Sequence, residues 1–220
     1  MKPRHAALGL IRQFWSRLED SVHPDDKSLF DDMPNSFHRK FPPPAFLGAI
    51  DTAPIVLLMA NGGYSLNVTE SEFPDGASIL RFRDHPGGVT DELPLHVAPY
   101  YGDSAFGPAI RAGEVAVANA VAYRSPRLSQ EPDNRRLARK LPSLDAHRRW
   151  LFEELLPAAE RGERFVLVHR NGWWRVPKTM AGPTIVFSDP KKAEPNRRQP
   201  SRENIEAAFN WLRNRTRPAP

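Results

Sequence analysis

Asn61 stands at the end of the apolar run Ile55–Ala60 and opens the turn Asn61-Gly-Gly-Tyr-Ser65. A side-chain amide carries donors and an acceptor, so it can grip a base edge, a sugar or a water. Gly62 and Gly63 permit positive φ or a close approach of the backbone to a ligand. The same residues equally suit a plain tight turn in which Asn61 only tolerates an awkward backbone. Two other polar positions share this setting. Asn119 lies within a second apolar run, Glu114–Val121, and Ser188-Asp189-Pro190 closes a later one, Thr184–Ser188. As parallel strands, these runs would bring all three positions to one sheet edge, where ligands of open α/β sheets bind. Two amides and a carboxylate there match the donor and acceptor pattern of uracil, cytosine or guanine edges. Asn119 also suits a buried amide that satisfies backbone groups within the sheet.

Other chemistries are poorly served. The chain has no cysteine, which removes disulfides, thiolate zinc sites and a cysteine nucleophile. Its seven histidines show neither HExxH nor HxxxH spacing, so His147 and His169 read as core or surface residues. There is no GxSxG elbow and no phosphate-binding Gly-rich loop. No metal and no cofactor are expected. Trp173 and Trp174 suit either base stacking or a split between core and surface. In Tyr123-Arg124-Ser125, Arg124 and Ser125 suit phosphate contact or a solvated loop after a strand.

The net charge of +5 is unevenly spread. Arg124, Arg127, Arg135, Arg136, Arg139, Lys140, Arg148 and Arg149 crowd the middle, and Lys191, Lys192, Arg197, Arg198 and Arg202 precede the last helix. Such asymmetry points to a polyanion, nucleic acid first, or to a solvated surface that aids solubility. No apolar stretch approaches the roughly 18–20 residues that span a bilayer, and mean hydropathy is −0.54. No membrane partner is expected, and a cytoplasmic location is. The sequence sets no oligomeric state.

The elements that must position these residues follow from pattern. His5–Leu18 carries Leu8, Ile11, Phe14, Trp15 and Leu18 at helical spacing and lacks the apolar core of a secretory signal. The segment 41–48, FPPPAFLG, is an extended lead-in anchored by Phe46 and Leu47. Strands are expected at Ile55–Ala60, Glu114–Val121, Phe165–His169 and Thr184–Ser188, with a short one at Ile79–Arg83 and a turn at Asp84–Gly88. Ser143 is expected to cap a helix that Gly162 ends, and Ser201 to cap the last helix. Asn171-Gly172 reads as a hairpin turn, with Trp174–Pro177 returning. The pattern gives an α/β fold: a three-layer α/β/α sandwich with a central, mainly parallel four-stranded sheet. Residues 1–40 form a helical extension packed on a domain over 41–214, and 215–220 a frayed tail.

Three motifs together resemble the uracil-DNA glycosylase superfamily over roughly residues 40–214. PAFLGAIDTAPIVLLMANGGYS is similar to its first motif, most of all in the bacterial glycosylase-like branch whose strand runs into Asn-Pro-Gly. EVAVANAVAYRSPRL resembles the second conserved strand, and TIVFSDPKKAEPNRRQPSRENI the last motif of that branch. The resemblance implies a base swung out of the nucleic-acid stack, with DNA ahead of RNA as partner. It implies Asn61 as the residue that positions water near the sugar C1′ and Asn119 as the amide that reads the base. Tyr64 or Phe73 would flank the base. Arg124, Ser125, Lys191, Lys192, Arg197, Arg198 and Ser201 would meet the backbone.

Two departures bear on the chemistry. Gly62 stands where the motif has proline, and Ser188-Asp189-Pro190 where well-known members place His-Pro-Ser. The histidine that steadies charge on a departing base is thereby lost, a contribution often worth about 10²–10³ in rate. A base-excising enzyme, a binding module without chemistry and a small-molecule nucleotide-binding protein all remain compatible with the sequence.

Overall fold

The structure, a computed structural model, describes residues 9–73, 75–79, 106–188 and 200–216. The elements are α1 (Leu10–Trp15), α2 (Lys27–Asp32), β1 (Phe46–Leu47), β2 (Ile55–Asn61), α3 (Leu66–Glu72), α4 (Gly107–Arg111) and β3 (Val115–Val121). They continue with α5 (Pro132–Ala138), α6 (Pro142–Trp150), α7 (Leu156–Glu160), β4 (Phe165–Val168), α8 (Asn171–Trp174), β5 (Ile185–Phe187) and α9 (Arg202–Thr216). Five strands form one sheet in the order β1-β3-β2-β4-β5. β3, β2, β4 and β5 run parallel, and β1 pairs antiparallel with β3.

The sheet therefore has five strands rather than the expected four. The extra one comes from the lead-in, whose Phe46 and Leu47 pair with Ala118 and Val117 on the open edge of β3. Pro42, Pro43 and Pro44 have no N–H to give a ladder, which confines the added strand to the residues after them.

Alternation along the strands divides the core in two. Val56 and Leu58 face a cluster with Ile11, Phe14, Trp15, Phe30, Leu144, Trp150 and Trp174. Ile55, Leu57 and Met59 face the opposite cluster with Phe73, Phe106, Ile110 and Ala208, against which Ile205, Phe209 and Leu212 pack. Helices thus flank both faces of a mostly parallel sheet. The amino-terminal helices α1 and α2 belong to the first of these clusters. Among the described residues no helix is long and apolar enough to cross a membrane.

Several local readings need correction. Asn171-Gly172 makes no hairpin but opens α8. Asn171 uses its side chain locally, accepting from Val176 N at 2.8 Å and donating to Val176 O at 2.9 Å. Trp174, fully buried, donates its indole N–H to Met59 O at 2.7 Å, and Arg175 at φ 61° ends the helix. Burial of the indole outweighs the turn preference of Asn-Gly. The cap of α6 is not Ser143: Pro142 occupies the first turn, and Ser143 N donates instead to Asp26 Oδ1 at 3.0 Å. A π-helical turn at Leu151–Leu155 joins α6 to α7. Pro157 explains it, because its ring and missing N–H do not fit a regular α-turn. Residues 76–79 are helical, so Ile79 does not begin a strand. The remainder of that expected strand and the 84–88 turn lie outside the described residues.

His147 ties α1 to the sheet. Trp15 Nε1 donates to His147 Nε2 at 2.5 Å, and an indole N–H can only donate. The imidazole proton is therefore on Nδ1, which donates to Asn119 O at 2.8 Å. Burial holds the His147 pKa down at about 4, against the pull of the Asn119 carbonyl. The unfolded chain, with its ordinary value near 6.5, takes up the proton first. The stability contributed by the neutral ring is whole above about pH 6.5 and is lost as pH falls towards 4, on the order of 3 kcal/mol in total. Buried Asp26, whose carboxyl is raised by burial, works in the opposite sense. Urea unfolding of the native protein and of His147→Gln from pH 7.5 to 4.5 separates the two. The gap in stability is expected to narrow with falling pH, and a constant gap would refute the role of this ring.

Candidate functional site

The carboxyl ends of β2 and β3 build the site. Asn61 is the last residue of β2, in register with Val121. Its Nδ2 donates to Ser125 O at 3.1 Å. Its Oδ1 accepts no hydrogen bond among the described residues, and the side chain is only partly buried. The amide is thus held by its donor end with its acceptor end open. Gly62 packs against the lead-in so closely that a Cβ there would lie 2.1 Å from Pro44 Cγ. Gly63 makes the turn at φ 65° with open space around it. The two glycines serve different needs, close approach and left-handed backbone.

The loop after β3 meets this turn. Arg124 is buried, its guanidinium 3.0 Å from Glu72 Oε2 and its Nε donating to Pro42 O at 3.3 Å. The same guanidinium lies over the ring of Phe73, 5.4 Å from its centroid. Its charge is spent inside the protein, and breaking a buried pair of this kind costs roughly 3–5 kcal/mol. Ser125, also buried, donates its hydroxyl to Glu131 Oε2. The exposed cation of this loop is Arg127, which forms no ion pair among the described residues. Tyr64 stacks on His38, ring centroids 3.5 Å apart and nearly parallel at 7°. Burial lowers the His38 pKa although Glu131 pulls it upward, so the imidazole is neutral near pH 7. Phe73 is buried and stacks on Phe41 at 5.2 Å.

One step back from the edge, a polar row crosses the sheet. Asn119 is in register with Met59. Extending the pairing of Leu58 with Val168 and of Val168 with Phe187 by one residue adds His169 and Ser188. Alternation puts the row on the face that carries Leu57, Val117 and Leu167. Asn119 and His169 then lie two strands, roughly 10 Å, apart. His169 Nδ1 and Ser188 Oγ are 3.0 Å apart, and His169, Asn119 and Ser188 are all buried. Asn119 Nδ2 donates to Pro44 O at 2.7 Å.

The structure thus brings Asn61, Tyr64, Arg124 and Ser125 together, with Asn119 beneath them, and sets Phe73 against Arg124. Ser201 serves its helix instead: its hydroxyl donates to Asn204 Oδ1 at 2.8 Å and accepts from Asn204 N at 3.4 Å. Lys191, Lys192, Arg197 and Arg198 lie outside the described residues. Sequence reasoning passed over His38, Glu131 and His169 as site residues. Glu131 had a signal, being one of two acids in the basic stretch 124–140. His38 had none, since it is 23 residues from Asn61 and arrives through the fold. Among the described residues no group of three or more His, Asp or Glu could hold a metal ion.

The fold and site define an α/β protein with a five-stranded, mostly parallel mixed sheet and a polar cluster at its carboxyl edge. Compared with protein-family models, curated proteins and solved structures, the chain shows no significant match to any.

The Gly62 contact is testable by a double-mutant cycle. Gly62→Ala is expected to cost about 1–3 kcal/mol in urea unfolding, as overpacking does. Pro44→Ala, which removes the opposing Cγ, is expected to recover most of that loss in the double mutant. Strict additivity of the two changes would show that they do not meet.

Proposed function

We propose that this protein binds a nucleobase swung out of a nucleic-acid strand and hydrolyses its bond to the sugar, on the three-layer fold of the uracil-DNA glycosylase superfamily. The observation that carries this reading is the posture of Asn61. Its donor end is fixed on Ser125 O, and its acceptor oxygen is open at a partly exposed strand end. That oxygen accepts a proton of a water and turns the water's lone pair towards C1′. The water oxygen bonds to C1′ as the C1′–N bond breaks, and the electron pair leaves with the base. One water proton remains in the new hydroxyl, and the base gains the other through solvent.

The Gly62 departure also has a physical account. The turn lacks its own proline, but Pro44 packs on Gly62 from the lead-in and stiffens the same place. Arg127 is an exposed cation suited to a phosphate at this edge, in place of buried Arg124. DNA stands ahead of RNA as the partner.

A second reading, a nucleic-acid-binding module without chemistry, draws on Asn119 and Arg124. Both are buried, one donating to Pro44 O and the other paired with Glu72. Side chains so committed shape a site more readily than they meet a ligand.

Single- and double-stranded oligonucleotides carrying uracil, hypoxanthine or xanthine decide between them. The enzyme reading expects abasic product, reduced about 10²-fold or more in Asn61→Ala. Salt-sensitive binding with no product at high protein concentration selects the binding module. No nucleic-acid affinity at all rejects both. If binding is seen, Arg127→Ala is expected to weaken it alike for all sequences and to lower the log–log salt slope by about one.

A further inference from the structure

We propose that the carboxylate of Glu131 faces the sugar of the bound nucleotide and supplies the negative charge that neutral Asn61 lacks; this rests on the base-excising reading above. Asn61 and Glu131 hold the same residue from two sides. Asn61 Nδ2 donates to the Ser125 carbonyl at 3.1 Å, and the Ser125 hydroxyl donates to Glu131 Oε2. Asn134 Nδ2 donates to that same oxygen at 2.7 Å, and Arg127 N donates to Oε1 at 3.1 Å. Ser125 and Asn134 are each 1% exposed, so the carboxylate is fixed on a buried base. Glu131 itself is only partly buried. An ionised carboxylate offers about four acceptor positions. Three are filled, and the open one is on Oε1.

Charge balance separates Glu131 from the other acids of this edge. Glu72 is paired with Arg124, Glu70 with Lys40 and Asp133 with Arg136. All three donors to Glu131 are neutral groups, and among the described residues it has no ion-pair partner. The imidazole of His38 does not compensate it either, being neutral near pH 7. An uncompensated carboxylate inside a basic segment attracts a cation, and the cation that base excision creates is the sugar as its bond to the base lengthens. Protein charge aimed at developing charge is a large contribution to catalysis. As water bonds to C1′, its surplus proton passes to Glu131 and then to solvent, while the base leaves with the electron pair and is protonated from solvent. The sum is one water consumed and one C–N bond broken.

The alternative is a purely structural carboxylate that ties the 125–131 loop. Charge separates the two roles. Binding is measured by fluorescence anisotropy to two otherwise identical duplexes, one with a protonated pyrrolidine in place of the target sugar and one with a neutral tetrahydrofuran. The native protein is expected to prefer the cationic duplex by at least about tenfold. Glu131→Gln, similar in size, is expected to keep its affinity for the neutral duplex within about twofold and to lose the preference; Glu131→Asp, which keeps the charge, is expected to retain it. No preference in the native protein overturns this role while leaving base binding intact, and so does an equal weakening of both duplexes in Glu131→Gln. Binding to neither duplex overturns the base-binding reading as well. The native preference does not depend on any variant folding.

Discussion

The site depends on the passage of Pro42–Ala45 across the ends of the two central strands. Pro44 sits against Gly62, and its carbonyl accepts the Asn119 side chain. Ala45 O accepts Asn119 N at 2.9 Å, and Pro42 O accepts from Arg124. Three prolines make this crossing stiff, and they leave carbonyls without neighbouring N–H groups to satisfy them. Asn119 and Arg124 provide the missing donors. Buried carbonyls would otherwise be left costly and unpaired, so a side-chain amide inside a strand and a buried guanidinium follow from placing prolines here. The pair Arg124–Glu72 then follows from the guanidinium, since a buried charge needs a partner.

β3 transmits the same constraint to the other face of the sheet. The backbone of Asn119 gives its N–H to the lead-in and its carbonyl to His147, which accepts from Trp15 of α1. A neutral, tautomer-fixed imidazole links the amino-terminal helix to the strand that underlies the site. A second buried group closes the same corner. Tyr123 donates to Asp26 Oδ2 at 2.5 Å and accepts from His23 N at 3.1 Å. Burial, joined by the neighbouring Asp26 charge, raises the Tyr123 pKa well above its ordinary value, so it remains a donor. The amino-terminal segment is therefore fastened by directional bonds as well as by Ile11, Phe14 and Trp15.

What the sequence made legible is what depends on near neighbours in the chain. The buried strands announce themselves as apolar runs, and β2 and β3 lie within a residue of their expected bounds. The proline lead-in and the glycine turn were also readable, because each residue type there restricts its own backbone. What was not legible depends on contacts across the fold. Asn171-Gly172 kept its turn chemistry but gave way to burial of Trp174, and only the tertiary position of Met59 O explains why. The helix expected from Ser143 to Gly162 runs over Pro157, and the π-turn that accommodates the proline went unread. The partner of Asn61 is 64 residues away, and that of Arg124 is 52 residues before it. No spacing rule reaches those pairs.

The burial of Arg124 changes how the basic composition is to be read. A net charge of +5 suggests many cations offered to a polyanion. Yet at this edge Lys40 is paired with Glu70 and Arg124 with Glu72, so α3 supplies the acids that neutralise both cations. On the proposed reading, attraction of a phosphate falls on residues such as Arg127, which is exposed, while buried Arg124 is already paired. That division suits the proposed reading, in which a charged backbone is held at the rim and a neutral base on the floor inside. A cation-lined floor would favour the phosphate over the base and hold the nucleic acid in the wrong register. On this floor the orientation of one amide and the charge of one carboxylate gain weight, because little else nearby screens or opposes them.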